Sequence, residues 1–473
     1  MYWVIGIAVI IVIWLLVIVI RAFAFRPKTP ETPAGYSLDY EIDLDRAIGN
    51  LQKMIELETI KGNDKAFDDF RDALPDLYPL VHKHCEKELV GGGGLLYRYA
   101  GKSGLNPTVF MAHYDVVPAD ASLWAKPPFS AIHENGEIWG RGALDTKSTL
   151  CAALETAETL LEHGFVPESD IYFAFGSNEE TYGRDAPDIA DLLKSRSVRP
   201  GLVLDEGGAT VENVFPGVKE KVALIGTGEK GVCDVTLKIS GAGGHASMPP
   251  KKTPVGQLAK AVVRVERSPF KGTLAEPTKQ LFDSLGRHSS FAYRLIFANL
   301  WCFKGLLFSL CKQKGGELNA MVRTTVAFTQ MEGSPAINVL PPSAEIRANM
   351  RLMHIDTPEK AVAHIKRAIK DPDIEVTGEG DVSEKYADTG SDGYEKALGA
   401  IRKTWPDAIV SPYLMMARTD SRHFTDICDV VLRFSAMSLS KDDRDRIHGN
   451  DERISDSQLL ETLSFYQRLM TSC

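Results

Sequence analysis

Three short apolar runs in the first half of the chain each end in acids or a histidine, and this repeated junction narrows the folds open to it. Thr108-Val109-Phe110 leads into MAHYDVVP, Met111 to Pro118; Ile171 to Phe175 leads into SNEETYG; Leu202 to Leu204 leads into DEGG. Short, continuously apolar runs bounded by turn residues read as buried strands. Between the first two lies a helix pattern in which Leu150, Leu154, Ala157 and Leu161 recur every three or four residues, closed by Gly164. Strands alternating with helices predict an open, doubly wound α/β sheet, and such sheets bind at the carboxyl ends of their strands. Each polar cluster stands at such an end.

His113 and Asp115 are two residues apart, so an extended chain turns both to one face. An imidazole beside a carboxylate is how a metal-binding histidine is usually held, although such a pair also occurs in surface turns. Asp145, in GRGALDTK (Gly140 to Lys147), opens the helix pattern. It can serve as an N-cap, or as a carboxylate with both oxygens available between two metals. Glu179 and Glu180 are adjacent acids after a strand. Such acids are either solvated or, beside a metal, divide labour as ligand and proton acceptor. Asp205 tips the third strand, and His448 belongs to HGNDE, His448 to Glu452.

The 473 residues suffice for about two to four domains. Tyr2 to Ile20 is an uncharged apolar run, long enough to cross a bilayer, which takes roughly 20 residues. A cleaved signal peptide would want a basic start and a shorter core, so the run is read as a retained anchor at 2–20. Arg21, Arg26 and Lys28 follow it and place the rest on the cytoplasmic side. Residues 21–44 read as a linker, with a proline- and acid-bearing spacer from Pro27 to about Asp45. The body is expected to start with a helix (Leu51, Met54, Ile55), then a second over Ala66 to Leu80. A glycine hairpin at Gly91 to Gly94 and another turn at Glu134-Asn135-Gly136 follow.

From about Val222 the texture changes. A strand at Val232 to Ile239, the loop GAGGHASMPP (Gly241 to Pro250), a helix at Val255 to Val265, strands at Met321 to Met331 and around Arg347 and Arg351 predict an inserted α+β domain. The apolar stretch Phe291 to Cys311 inside it, broken by Arg294 and Lys304, reads as one helix packed in the insert or at a subunit contact. A greasy cover for an apolar substrate or the membrane surface is the sharper reading. The chain then returns through RTDSRHF (Arg418 to Phe424), HGNDE and a final helix. The expected boundaries are 45–222 and 384–473 for the catalytic domain and 223–383 for the insert. The net charge of −9 argues against nucleic acid or an anionic surface as main partner, because phosphate binding needs a positive field. Seven scattered Cys without a C-x-x-C give neither a disulfide framework nor a zinc knuckle.

HYDVVP, GRGALDTK, SNEETYG, LDEGG, GGHAS and HGNDE, in this order, resemble the M20 family of metallopeptidases over residues 45 to 473. The anchored start and long insert look most like its carboxypeptidase S and N-fatty-acyl-amino-acid hydrolase branch. The resemblance implies a zinc-exopeptidase-like catalytic domain with a ferredoxin-like lid, a likeness that brings two zinc ions with it; manganese or cobalt would suit the ligands too. Asp145 would bridge the metals, His113 and Asp205 completing one site and Glu180 and His448 the other. Glu179 would be the general base and Asp115 would orient His113. His245 would reach a neighbouring subunit's site and polarise the substrate carbonyl, which makes a homodimer through the lid. Asn338, Arg351 and Thr419 match positions that hold substrate, and Asp145-Thr146 a peptide bond that is typically cis. Zinc lowers the pKa of its water to about 7, so the expected reaction is hydrolysis of an amide next to a free carboxylate, in a small peptide or an N-acyl amino acid. Two other readings compete. A non-catalytic receptor or scaffold on this fold would be expected to have lost a ligand or the base, and none is missing. An M28-type aminopeptidase would share the ligands but lack the GGHAS-bearing insert.

Overall fold

Ser103–His113 lies inside an eight-stranded mixed sheet, parallel to both neighbours. The spatial order is Glu86–Val90, Gly94–Tyr99, Ser169–Gly176, Ser103–His113, Leu202–Val211, Val431–Leu439, Val222–Glu229, Ile409–Met415. The computed structural model describes residues 2–27 and 35–473; Lys28 and residues 29–34 of the proline spacer lie outside them. After Ser103–His113 the chain pairs first on one side, through Ser169–Gly176, and then on the other, through Leu202–Val211. His113 therefore stands at a topological switch point, where open α/β sheets bind ligands. The helix Lys147–Glu162 connects the first pair and is buried on all sides from Lys147 to Leu160, so its polar residues, Glu155 and Glu158 among them, are enclosed with its apolar ones.

Local chemistry explains most element ends. Asp43 caps Leu44–Glu56 by accepting from Arg46 N, and Ser455 with Gln458 forms a capping box on Asp456–Met470. The helix expected over Ala66 to Leu80 is two, Asp64–Leu77 and Pro79–His84. Pro79 is the cause: a residue before proline is pushed out of the helical region, and Tyr78 leaves it at ψ 68°. Gly91 (φ +62°) turns the hairpin between Glu86–Val90 and Gly94–Tyr99, as the glycine run predicts.

A second unit is built on an antiparallel sheet ordered Thr325–Glu332, Ser343–Leu352, Gly231–Ser240, Glu375–Asp381. With helices Pro254–Glu266 and Pro358–Ile369 this is the βαββαβ order of a ferredoxin-like unit. Cys233, Val235, Leu237 and Ile239 alternate into its core against both helices, while Asp234 and Lys238 face outwards.

Two boundaries differ from the sequence reading. Val222–Glu229, expected within the insert, is a strand of the main sheet. The chain also leaves the insert between Phe270 and Ala275 and rejoins it near Thr325. In that excursion Leu281, Phe282, Leu285, Phe297, Leu307 and Cys311 belong to the core of the main sheet. The stretch expected as one helix over Phe291 to Cys311 is Phe291–Phe297 and Leu300–Lys314, bent by 110°. Asn299 sits in the break, where its side chain donates to Leu295 O (3.0 Å) and competes with the helix for that carbonyl. The chain thus passes between the two units four times. Among the described residues one helix, Tyr2–Ala24, is long and apolar enough to cross a membrane.

Candidate metal centre

The expected ligands meet because a small sheet draws the chain's end to its middle. Asn135 (φ 55°) and Gly136 (φ 75°) close the hairpin between His133–Glu134 and Glu137–Trp139, and Arg453–Ser455 pairs with the latter strand. Gly140 N then donates to Glu452 O at 2.9 Å, which sets HGNDE beside GRGALDTK.

At the centre Asp145 turns its two oxygens to different imidazoles: Oδ1 lies 3.0 Å from His113 Nε2, Oδ2 3.1 Å from His448 Nε2. Glu180 Oε1 is 3.1 Å from the same His448 nitrogen. His113 Nδ1 is 2.9 Å from the carbonyl of Asp115. A carbonyl only accepts, so Nδ1 carries the hydrogen, and in the neutral ring the Nε2 lone pair faces the cluster. The Asp115 carboxylate lies 3.4 Å from that Nδ1 and accepts from the backbone N–H groups of Glu179 and Glu180, both at 3.1 Å. It therefore fixes the acidic turn as well as the ring. The Asp145-Thr146 peptide is cis.

Ligand atoms gather in two groups that share His113: one with Asp145 and Glu180, the other with Glu179 and Glu206, each within 4.8 Å. Asp205, expected to complete the first metal site, is in neither. Its oxygens accept from the N–H groups of Glu206 (2.9 Å) and Ser421 (2.8 Å). Glu206, not singled out in the sequence, turns Oε1 to 3.4 Å from His113 Nε2 instead. The signal was available, since DEGG repeats the adjacent-acid pattern of Glu179-Glu180. Glu452 was equally overlooked, four residues after His448. Fully buried, its Oε1 accepts from Gly142, Leu144 and Asp145 N–H (3.1, 2.7 and 3.1 Å), and its Oε2 from Arg141 Nη1 at 2.7 Å. It holds the turn that presents Asp145.

The crowding of buried carboxylates shows in their acidities. Burial pushes Glu179 up to about 10 and, with Asp145 nearby, Glu206 to about 8; burial and Asp205 push Asp420 to about 7. Burial opposes charge on Asp145 too, but hydrogen bonds from His113 and His448 hold its carboxyl well below the usual range. Burial likewise disfavours charged His113, yet the Glu206 carboxylate and the hydrogen bonds to Asp115 and Asp145 carry it well above its ordinary value. Hydrogen bonds to Asp145 and Glu180 raise His448 to about 10. Such a set takes up protons or cations, because buried anions without compensation are costly.

The remaining expected residues are not among the grouped ligand atoms. His245 is exposed on Gly244–His245, paired with Val339–Leu340, and its Nδ1 accepts from Ser247 N (3.1 Å). Asn338 is exposed beside it, its carbonyl accepting from Ala246 N. Arg351 lies on the insert's sheet and donates to Asn349 Oδ1 at 3.2 Å. Thr419, expected at the substrate, is buried: its N–H and hydroxyl both go to Glu229 Oε1 (3.1 and 2.7 Å). Glu229 also accepts from the fully buried Arg433 at 2.9 Å. The same hydroxyl lies 2.7 Å from that of Ser421, whose N–H donates to Asp205.

A family model described as Peptidase family M20/M25/M40 matches residues 109–472. A probable carboxypeptidase S-like 2 of Dictyostelium discoideum is 33% identical over 96% of this chain and 91% of its own length. The N-fatty-acyl-amino acid synthase/hydrolase PM20D1.1 of Danio rerio is 34% identical over 90% and 85% respectively. The crystal structure of the M20 family metallo-carboxypeptidase Sso-CP2 from Sulfolobus solfataricus superposes with a TM-score of 0.67 at 18% identity, covering 90% of this chain and 98% of that one.

Proposed function

Because this chain belongs to peptidase family M20/M25/M40 and is an amide-bond hydrolase, we propose that it uses two divalent metals to cleave an amide beside a free carboxylate. The observation that supports this most is the placement of Asp145, one oxygen towards each imidazole. The donors fit zinc, with manganese or cobalt compatible: two imidazoles and several carboxylates form a borderline-soft set with capacity for two charges. Asp145 would be shared, His113 would serve one ion with Glu206 or Asp205, and His448 and Glu180 the other. When bound, the ions supply hydroxide near neutral pH and polarise the carbonyl under attack.

The protein's own groups do the rest. Glu179 takes the proton from the attacking water and passes it to the leaving nitrogen, held in place by the grip of Asp115 on its backbone. Substrates are N-acyl amino acids, fatty-acyl ones included, or peptides cut at the carboxyl end. The names of the two relatives point to these classes. Arg351 and Asn338 bind the free carboxylate, and the insert acts as a lid and a dimer contact. His245 polarises the carbonyl in a partner copy. Tyr2–Ala24 anchors the protein in a membrane, with the body on the side of Arg21 and Arg26.

A panel of N-oleoyl and N-acetyl amino acids and blocked dipeptides, followed by release of the free amino acid from zinc-loaded protein, tests this reading. Cleavage is expected only where the carboxylate is free; equal cleavage of the carboxamides would refute carboxylate recognition, and no amide cleavage at all would refute the whole. The role of His245 predicts complementation: His245→Ala mixed with Glu179→Gln should recover activity that neither homodimer has. A mixture as inactive as its parts rules out the shared site.

A further inference from the structure

Tyr2–Ala24 does not stand free of the catalytic body. Of its residues only Ile18 and Ala22 are buried, and they are buried where the helix meets the bent pair Phe291–Phe297 and Leu300–Lys314. The junction is polar and specific. Fully buried Asn299 donates to Ile18 O at 3.1 Å, while Arg21 donates to Asn299 Oδ1 (3.1 Å) and to Ala298 O (3.0 Å). Around it Phe23 packs on Phe291 with ring centres 4.8 Å apart, and Trp14 approaches Phe303 at 6.5 Å. On its other side the pair is rooted in the main core through Phe297, Leu307 and Cys311. The open side shows Tyr293, Trp301, Leu306 and Leu310, all at least 40% exposed.

We propose that this bent helix pair is a second membrane-contacting element, seated in one leaflet beside the N-terminal helix and fixing the catalytic domain's orientation on the bilayer. The inference rests on the reading of Tyr2–Ala24 as a membrane anchor and adds a partner surface to it. Depth supports it. Trp14 lies seven residues before Arg21, about 10 Å along the helix at 1.5 Å per residue. A spanning helix that places Arg21 at the interface therefore holds Trp14, and with it Phe303, inside the hydrocarbon. Neither helix of the pair is long enough to cross, since spanning takes about 20 residues. Leu300–Lys314 is apolar on several sides and not on one alone, and the exposed Tyr293, Trp301, Leu306 and Leu310 offer that surface to acyl chains. Lys304 stands exposed on the second helix, and Lys312 and Lys314 close it. A lysine in a dry protein contact would be costly, whereas at a headgroup layer it reaches phosphate along its own stem.

The test uses the full chain in phosphatidylcholine vesicles with brominated acyl chains. The emission of Trp301 is obtained as the difference between wild type and Trp301→Phe, that of Trp14 from Trp14→Phe. The expected result is that both are quenched by the brominated lipid and shielded from aqueous iodide, and that Leu306→Glu with Leu310→Glu returns Trp301, but not Trp14, to iodide. Quenched Trp14 with iodide-accessible Trp301 would overturn the inference and leave the anchor standing. If neither is quenched and carbonate washing releases the protein, the anchor reading falls and this one with it. Shielded but unquenched Trp301, in vesicles where Leu310→Glu dissolves a cross-linked dimer, would assign the surface to a second copy and overturn the inference.

Discussion

Replacing Glu179 by glutamine is expected to leave metal content unchanged while turnover falls by about 10²–10⁴-fold, the usual contribution of a positioned proton acceptor. The variant keeps the volume and the backbone N–H that Asp115 holds at 3.1 Å, so the turn carrying Glu180 stays in place. What disappears is the capacity to accept a proton. Elemental analysis of the purified variant and steady-state rates on the best substrate separate the possibilities. Near-normal turnover would remove Glu179 from the chemistry, and loss of one metal equivalent would reassign it as a ligand. The second outcome has a structural basis, because Glu179 lies in the same group of possible ligands as His113 and Glu206, so metal content has to be measured alongside the rate.

The largest expected effect on stability comes from Glu452→Ala. This carboxylate and Arg141 form a pair whose side chains are almost completely buried, 2.7 Å apart. Removing one partner of such a pair costs about 3–5 kcal/mol, because the other charge is stranded. Three backbone N–H groups also lose their acceptor, each worth about 1–3 kcal/mol if water cannot reach it. Because one belongs to Asp145, metal affinity is expected to weaken along with stability. Denaturant unfolding and a zinc titration measure the two effects. An unshifted unfolding midpoint would show that the turn is held by something else, and intact affinity in a destabilised variant would uncouple the turn from the metal site.

Much of the centre was legible in the sequence, for a physical reason. Strands buried on both faces must be apolar, so a histidine or acid where the run stops announces a strand end, and His113, Glu179 and Glu180 were found that way. That both acids of DEGG come into play was not legible: the N–H of Ser421, far along the chain, holds Asp205, while Glu206 turns its carboxylate to His113. The break at Asn299 was hidden in part for a like reason: besides Leu295 O, its side chain donates to Ile18 O, 281 residues away. Val222–Glu229 was assigned to the wrong unit because a short apolar strand looks alike in either sheet, and only pairing decides. The hydroxyl of Thr419 turned inwards because of Glu229, a buried acid with no motif around it.

The repeated passage of the backbone between sheet and insert limits how the insert can swing. A domain inserted by one loop has two tethers and turns about the line joining them; this one is moored at Glu229–Gly231, 270–275, 322–325 and 381–386. Lys230 ties two of the moorings together, its ammonium donating to Ala320 O (3.1 Å) and Arg323 O (2.9 Å). Free rotation is thereby traded for a stiff flexure, in which small bends at the root become the largest travel at the far rim. That rim carries His245 and Asn338, so the proposed reach of those two side chains to substrate would be governed by residues at the root, far from them in the fold.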